Sequence, residues 1–301
     1  MTARVDPRIS TPAACRNRRV SSRWSPPTDR HRSPARRQPA PAATPPVLRL
    51  LGPIELGSPG ATVALGGPKQ QAVLALLACA GRPVSADRLT AQLWGERRVP
   101  GRPKRTLHVY ISMLRKALAP FGLQIVGSGQ DYRLEAPREL VDLYRFEDLI
   151  ALAGRFAVNR PAHALSLYDE AARLWRGIPF VQLPELDDVL VACAGLTARH
   201  LDATESQLEL AIVHGDLDRA VSELERFVVE HPLRERAVAA LMVGRYRQGR
   251  QAEALAVFGD ARRQLAEELG LDPSPMLREL EHQILCHDVT LPQRSGRATE
   301  D

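Results

Sequence analysis

Apolar and polar positions fall into three regimes along the chain. Residues 1–46 carry almost no large apolar side chain beyond Trp24, and Pro, Arg, Ser and Ala dominate. Residues 47–136 alternate short apolar runs with turn residues. From Arg138 onward, apolar positions recur only at the three-and-four spacing of helices. In the middle regime, residues 47–56 (VLRLLGPIEL) and 61–65 (ATVAL) read as two short strands around a turn at 57–60. Pro68–Ala80 reads as an apolar helix, ended by Gly81-Arg82-Pro83. Ser85 is placed to cap a second helix, Ala86–Trp94, with Leu89 and Leu93 inward. A loop then leads to a third helix over about residues 104–119, stopped by Pro120. Residues 123–126 and Asp131–Glu135 follow as a hairpin around Gly127-Ser128-Gly129-Gln130. Tyr132 and Leu134 share one face of that hairpin and Arg133 takes the other. Strand, strand, helix, helix, helix, hairpin is the order of a winged helix-turn-helix. The second helix would brace the third, and the hairpin would be the wing.

The third helix carries the chemistry. Leu107, Tyr110 with Ile111, Leu114 and Leu118 repeat as one buried face, and Arg105, His108, Val109, Ser112, Arg115 and Lys116 fall mostly on the other. A major groove admits a helix and shows each base pair as a distinct set of donors and acceptors, which suits such a cationic, hydrogen-bonding face. The same pattern alone also describes a solvated basic helix. Its place between a bracing helix and a wing makes it a reader. The expected base-edge or groove contacts are Arg105, Thr106, His108, Val109 and Ser112. The expected phosphate contacts are Arg115, Lys116 and Arg133, with Gln130 at the wing tip. Thr106 has a second role open to it, since a threonine in the first turn can simply cap the helix or touch backbone. Asp131 reads as serving the hairpin turn.

Beyond Arg138 the periodicity predicts helices at about residues 142–155, 161–175, 186–213, 217–230, 233–247, 251–269 and 275–286. Gly215 and Gly249 lie 34 residues apart, each at a helix–helix turn, and each is followed five residues on by an alanine, Ala220 and Ala254. An earlier unit has Asn159 at the turn and Ala164 at the small position. A 34-residue helix-turn-helix period is that of tetratricopeptide units, which stack because one unit cannot bury its apolar face alone. An ordinary helical bundle with coincidental spacing is the other reading. Trp175, Phe180, Phe227, Tyr168 and Tyr246 are expected in the core rather than as partner anchors.

Charge sharpens the division. Residues 1–46 hold 10 Arg against two Asp, and residues 47–136 hold 12 Lys or Arg against five acids. Residues 137–301 hold 19 Arg against 28 acids, so a basic front precedes an acidic back. The front suggests a polyanion partner; the back suggests a protein partner or plain solubility. With so little to bury, the leader is expected to be disordered, either as a basic arm on DNA or as the product of a misplaced translation start. Residues 288–301 are expected to be a disordered tail. The four cysteines, Cys15, Cys79, Cys193 and Cys286, form no C-x-x-C pair, which fits a reducing compartment and no disulfide framework. The longest apolar run, residues 72–80, is too short to cross a bilayer, and no apolar segment follows Arg18-Arg19. A cytoplasmic protein, associated with the nucleoid and without a membrane partner, is expected. Gly66-Gly67-Pro68-Lys69 lacks phosphate-loop spacing, and neither G-x-S-x-G nor H-E-x-x-H occurs, so no enzyme and no catalytic residue is expected. His282, Cys286 and His287 lack a fourth ligand, so no metal and no other cofactor is expected.

Residues 47–136 resemble the response-regulator type of winged helix, and residues 140–287 resemble the bacterial transcriptional activation domain. In this order they resemble the Streptomyces antibiotic regulatory protein (SARP) family. The stretches that carry the likeness are Gly66-Gly67-Pro68-Lys69-Gln70-Gln71, Arg105-Thr106-Leu107, Ile111 to Leu118, Trp175-Arg176-Gly177 and Glu267 to Pro275. The resemblance implies an α+β winged domain followed by an all-α tetratricopeptide-like domain. It also implies an activator of a biosynthetic gene cluster for a secondary metabolite. Such a protein would bind direct repeats in double-stranded DNA as a homodimer and recruit RNA polymerase holoenzyme. Three features depart from the pattern: the basic loop at residues 96–104, the leader, and Met113 where relatives often carry Arg. The nucleotide-binding and sensor domains of larger relatives are expected to be absent. Two rivals stand beside this reading, a helical-repeat adaptor whose winged part serves protein contacts and a repressor of the same build.

Overall fold

The computed structural model describes residues 47–58, 61–95, 100–183 and 186–287. The expectations for residues 1–46 and 288–301, and for residues 96–99 of the basic loop, lie outside the described residues. Three strands come first: β1 (Leu48–Arg49), β2 (Glu55–Ser58) and β3 (Ala61–Val63), an antiparallel sheet in the order β1-β2-β3 with Leu48 opposite Leu56 and Leu56 opposite Val63. The single strand expected over residues 47–56 is therefore two. The chain leaves the sheet at Leu50 and turns through Gly52 (φ +142°) and Pro53. The Leu50 and Leu51 amides, which a continuous strand would pair, donate instead to the Asp142 carboxylate at 2.7 and 3.0 Å.

The helix-turn-helix follows: α1 (Pro68–Ala80), α2 (Ala86–Trp94) and α3 (Pro103–Leu118). Gly81 ends α1 in the left-handed region (φ +60°), where glycine costs least, and the Ser85 hydroxyl accepts the Arg88 amide at the start of α2. Val84–Ser85 forms a short strand, β4, that periodicity does not reveal. It pairs with β6 (Asp131–Glu135), which also pairs with β5 (Gln124–Val126), so the wing is a three-stranded sheet in the order β4-β6-β5. Leu74, Leu77, Leu89, Leu93, Leu107, Ile111 and Leu114 are fully buried beneath it.

Helices α4 (Asp142–Phe156), α5 (Pro161–Ala172), α6 (Asp187–His214), α7 (Leu217–Glu230), α8 (Glu235–Arg247), α9 (Gln251–Leu269) and α10 (Pro275–Leu285) complete the described residues. The small positions behave as the repeat requires, for Ala164, Ala220 and Ala254 are buried between helices. The two turn glycines differ. Gly249 sits at φ +75°, whereas Gly215 is extended and serves by close approach, since a Cβ there would lie 2.9 Å from the Ala211 carbonyl oxygen. Helix α5 stops at Ala172, short of the expected residue 175, and α8 begins at Glu235, after a turn in which the Arg234 amide bonds the His231 carbonyl. Phe180, Phe227 and Tyr168 are core residues; Trp175 and Tyr246 are half-buried. No helix of the described residues is long and apolar enough to cross a membrane.

Two cores divide the structure, and their boundary is not the one between winged and helical parts. One core runs from Leu48 through the winged helices into Leu143, Phe146, Leu149, Leu167 and Leu196. The second gathers Leu208 and Ile212 with α7 to α10. The 28-residue α6, roughly 40 Å long at 1.5 Å per residue, contributes to both. Polar contacts lock the first core across the junction. Asp142, itself buried, accepts the amides of Leu50, Leu51 and Leu143 and faces Arg176 at 3.9 Å. Burial outweighs these partners and pushes its carboxyl up to about 6. The Arg176 amide donates to Leu51 O, its guanidinium donates to Pro53 O at 2.8 Å and pairs with Glu55, and the Tyr144 hydroxyl donates to Ala78 O at 3.1 Å.

Candidate nucleic-acid interface

Helix α3 is held on three sides and open on the fourth. Its apolar positions Leu107, Ile111, Leu114 and Leu118 are buried against α1 and α2. Tyr110 stacks on Trp94 with ring centroids 6.2 Å apart, and Lys104 pairs with Asp87 of α2 at 2.7 Å. At 100° per residue, the direction opposite the core is occupied by Arg105, Val109, Ser112, Met113 and Lys116, and all five are exposed. Sequence reasoning placed four of these at the interface. Met113 it marked only as a departure from the family pattern.

The wing covers one flank of this strip. His108 and Arg115 lie on that flank. The His108 ring meets Tyr132 edge-on at 6.2 Å, and the Arg115 guanidinium stands 6.0 Å from the same ring. Arg115 also donates through Nε to Ile125 O at 2.7 Å and through Nη2 to Gly127 O at 2.6 Å. It therefore ties α3 to the wing while remaining exposed, an attachment the reading as a phosphate contact did not contain. Arg133 is exposed on the outer face of β6 and pairs with Glu135. Gln130 sits exposed at the tip, with its backbone carbonyl fixed by the Ala86 amide at 2.7 Å. Gly127 (φ +104°) makes the turn possible, because a Cβ there would collide with the Asp131 carbonyl. Thr106 is half-buried on the opposite flank and its hydroxyl donates to Arg102 O at 3.3 Å. That bond is the backbone contact open to a threonine in the first turn.

The candidate interface is therefore a helix face with two cations at its ends, Arg105 and Lys116, a hydroxyl and two apolar side chains between them, and a wing hydrogen-bonded to Arg115 alongside. It offers donors, positive charge and apolar contact. Among the described residues, no group of three or more His, Cys, Asp or Glu side chains is placed to hold a metal ion.

Comparison with known proteins agrees with this build. Residues 60–126 match the family described as "Transcriptional regulatory protein, C terminal", and residues 141–285 match the "Bacterial transcriptional activator domain". The chain is 38% identical over 263 residues to the regulatory protein AfsR of Streptomyces coelicolor, covering 83% of this chain and 25% of that one. It thus spans about a quarter of the length of AfsR. It is 34% identical over 259 residues to the transcriptional regulatory protein MoaR1 of Mycobacterium tuberculosis, covering 84% of this chain and 83% of MoaR1. The structure of Mycobacterium tuberculosis EmbR in complex with a low-affinity phosphopeptide superposes with a TM-score of 0.75 at 33% identity, over 80% of this chain and 65% of that one. With a winged reader followed by a bacterial transcriptional activator domain, and with relatives alike over both, the chain belongs to the SARP family of transcriptional regulators.

Proposed function

We propose that the protein activates transcription by laying the outer face of α3 in the major groove of a direct-repeat operator. Residues 47–136 read the DNA and residues 140–287 make the protein contacts. Arg105, Val109, Ser112 and His108 address base edges. Lys116, Arg133 and the wing tip at Gln130 address phosphates, and Arg115 holds the wing in register. Two protomers occupy the repeats, and the helical part engages RNA polymerase holoenzyme at a promoter of a secondary-metabolite gene cluster, in the cytoplasm. The observation that carries this reading is the α3 strip of Arg105, Val109, Ser112 and Lys116, exposed along its length and flanked by the wing. An adaptor that had given up DNA would have no use for a cationic strip left open.

Gel-shift titration at several salt concentrations tests it, with duplexes selected from genomic fragments by the full chain. Arg105→Ala is expected to lower affinity and relax discrimination among sites by about 1–3 kcal/mol. Lys116→Ala is expected to weaken all duplexes alike and flatten the salt slope by about one unit. Unchanged binding in both variants sinks the assigned face, and no retained duplex at all favours the adaptor. A promoter assay with purified polymerase then separates activation from repression.

A further inference from the structure

We propose that Met113 reads the methyl group of a thymine, and that Gln70 positions it. This rests on α3 entering the major groove. Met113 is 50% exposed on the outer strip of α3, one turn beyond Val109, which is 51% exposed. The two make a continuous apolar step between Arg105 and Lys116 on a face otherwise polar. A methionine in that place would ordinarily be mobile, with three rotatable bonds and nothing to hold it. Here it is held. Gln70, buried at the start of α1, donates through Nε2 to Met113 Sδ at 3.0 Å, while its Oε1 accepts the Gly67 amide at 2.6 Å. Gln70 is thus fixed at both ends of its amide, to the cap of one helix and to the thioether of another.

The chemistry of the held group selects its partner. A thioether has no hydrogen to donate to guanine O6 and N7, and its sulfur already accepts the Gln70 amide, which leaves the apolar CH3 and CH2 groups of Met113 to meet the base. The one apolar group on the floor of the major groove is the thymine C5 methyl. Met113 therefore gives this chain a preference for thymine at one operator position, and an arginine at the same place would favour guanine.

The test begins with selection of duplexes from a random library by the full chain. Each thymine of the selected duplex is then replaced singly by deoxyuridine, which removes the methyl and leaves the hydrogen-bonding edge intact. At one position, wild type is expected to bind the deoxyuridine duplex about fourfold more weakly, the worth of one buried methyl. Met113→Ala is expected to bind thymine and deoxyuridine equally there, with the other thymines unaffected. Met113→Arg moves the preferred base at that position to guanine. Gln70→Ala reduces the thymine-over-deoxyuridine ratio at that position alone, whereas a purely capping role would weaken every duplex equally. If a motif is selected but no deoxyuridine substitution depends on Met113, the proposal falls and the DNA reading stands. If no duplex is selected, both fall together.

Discussion

Asp142→Asn at the junction is the sharpest probe of how the reader is attached to the helical part. The Asp142 carboxylate accepts three amides, from Leu50 at 2.7 Å, Leu51 at 3.0 Å and Leu143 at 2.8 Å. Asparagine offers one acceptor oxygen. However it turns, its nitrogen faces an amide N–H, and one buried donor loses its partner at a cost of about 1–3 kcal/mol. The cost depends on pH in a direction the burial fixes. Folding raises the Asp142 carboxyl from 3.8 to about 6, so its contribution to stability is complete below about pH 4 and is lost as pH rises through 6. At about 1.4 kcal/mol per pH unit, that amounts to about 3 kcal/mol. Asparagine does not titrate. The lost acceptor counts against asparagine only where Asp142 is ionised, and from titration wild type is expected to lose about 3 kcal/mol of stability relative to Asp142→Asn between about pH 4 and pH 7. Urea unfolding of both proteins across that range reads the difference directly, and other buried acids such as Glu205 cancel from it. A gap that stays constant with pH would show that the carboxyl is not held up by burial. A variant as stable as wild type throughout would remove it from the junction altogether.

Three further outcomes follow from single contacts. Arg115→Ala removes both hydrogen bonds between α3 and the wing and is expected to cost about 1–2 kcal/mol in stability, weakening all duplexes without moving base preference; an altered selected motif would make Arg115 a reader rather than a brace. Gly244→Ala places a Cβ 2.7 Å from Val221 Cγ2 and 2.8 Å from Ile212 Cδ1, and the overpacked second core is expected to lose about 1–3 kcal/mol by thermal melting; an unchanged Tm would mean the helices are free to part. Burial pushes the Cys79 thiol up to about 12, which leaves about one part in ten thousand as thiolate at pH 8, so iodoacetamide should label exposed Cys286 long before Cys79. Comparable labelling of both peptides by mass spectrometry would show that the end of α1 opens.

What the sequence disclosed, and what it concealed, divides along the range of the interactions. Helices α7 and α9 matched the expected bounds because their signals are local. Asp216 caps the first through the Arg219 amide and Pro232 follows it, and Gly270 turns the second at φ +67°. The alternation of Tyr132, Arg133 and Leu134 likewise announces its two faces within three residues. The break between β1 and β2 was hidden because the group that takes the strand's amides lies 92 residues away. Helix α5 stopped early for a similar reason, as the chain beyond it turns to bring the Arg176 amide to Leu51 O. Strand β4 is two residues long and has no period to detect. On α3, Arg115 and Lys116 are adjacent basic residues, and only the position of the wing distinguishes the brace from the open cation. Periodicity identifies which face of a helix is buried but not what buries it. It could not show that α4, α5 and the first half of α6 complete the core of the reader.

That shared core bears on how two protomers would work on repeated sites. A reader joined to its body by a flexible linker could take either of two half-sites with the body in any direction. Here Leu48 bridges to Val141 in parallel, the Val47 amide bonds the Leu140 carbonyl, and Asp142, Tyr144 and Arg176 each reach from the helical part into the winged part. Several buried bonds and a continuous apolar core would have to break together before the body could swing. Seating α3 in a groove would therefore fix where α6 points, and the far helices α7 to α10 would follow it as a unit. On direct repeats both bodies then point the same way along the duplex, offset by the spacing of the repeats. An insertion of half a helical turn between the repeats would place the second body on the opposite side of the DNA. Promoter activity is therefore expected to fall with half-turn insertions and return with whole-turn ones, while binding to each single repeat is unchanged. Activity indifferent to that phase would mean that the junction yields, and that the contacts around Asp142 do not transmit the orientation of the reader.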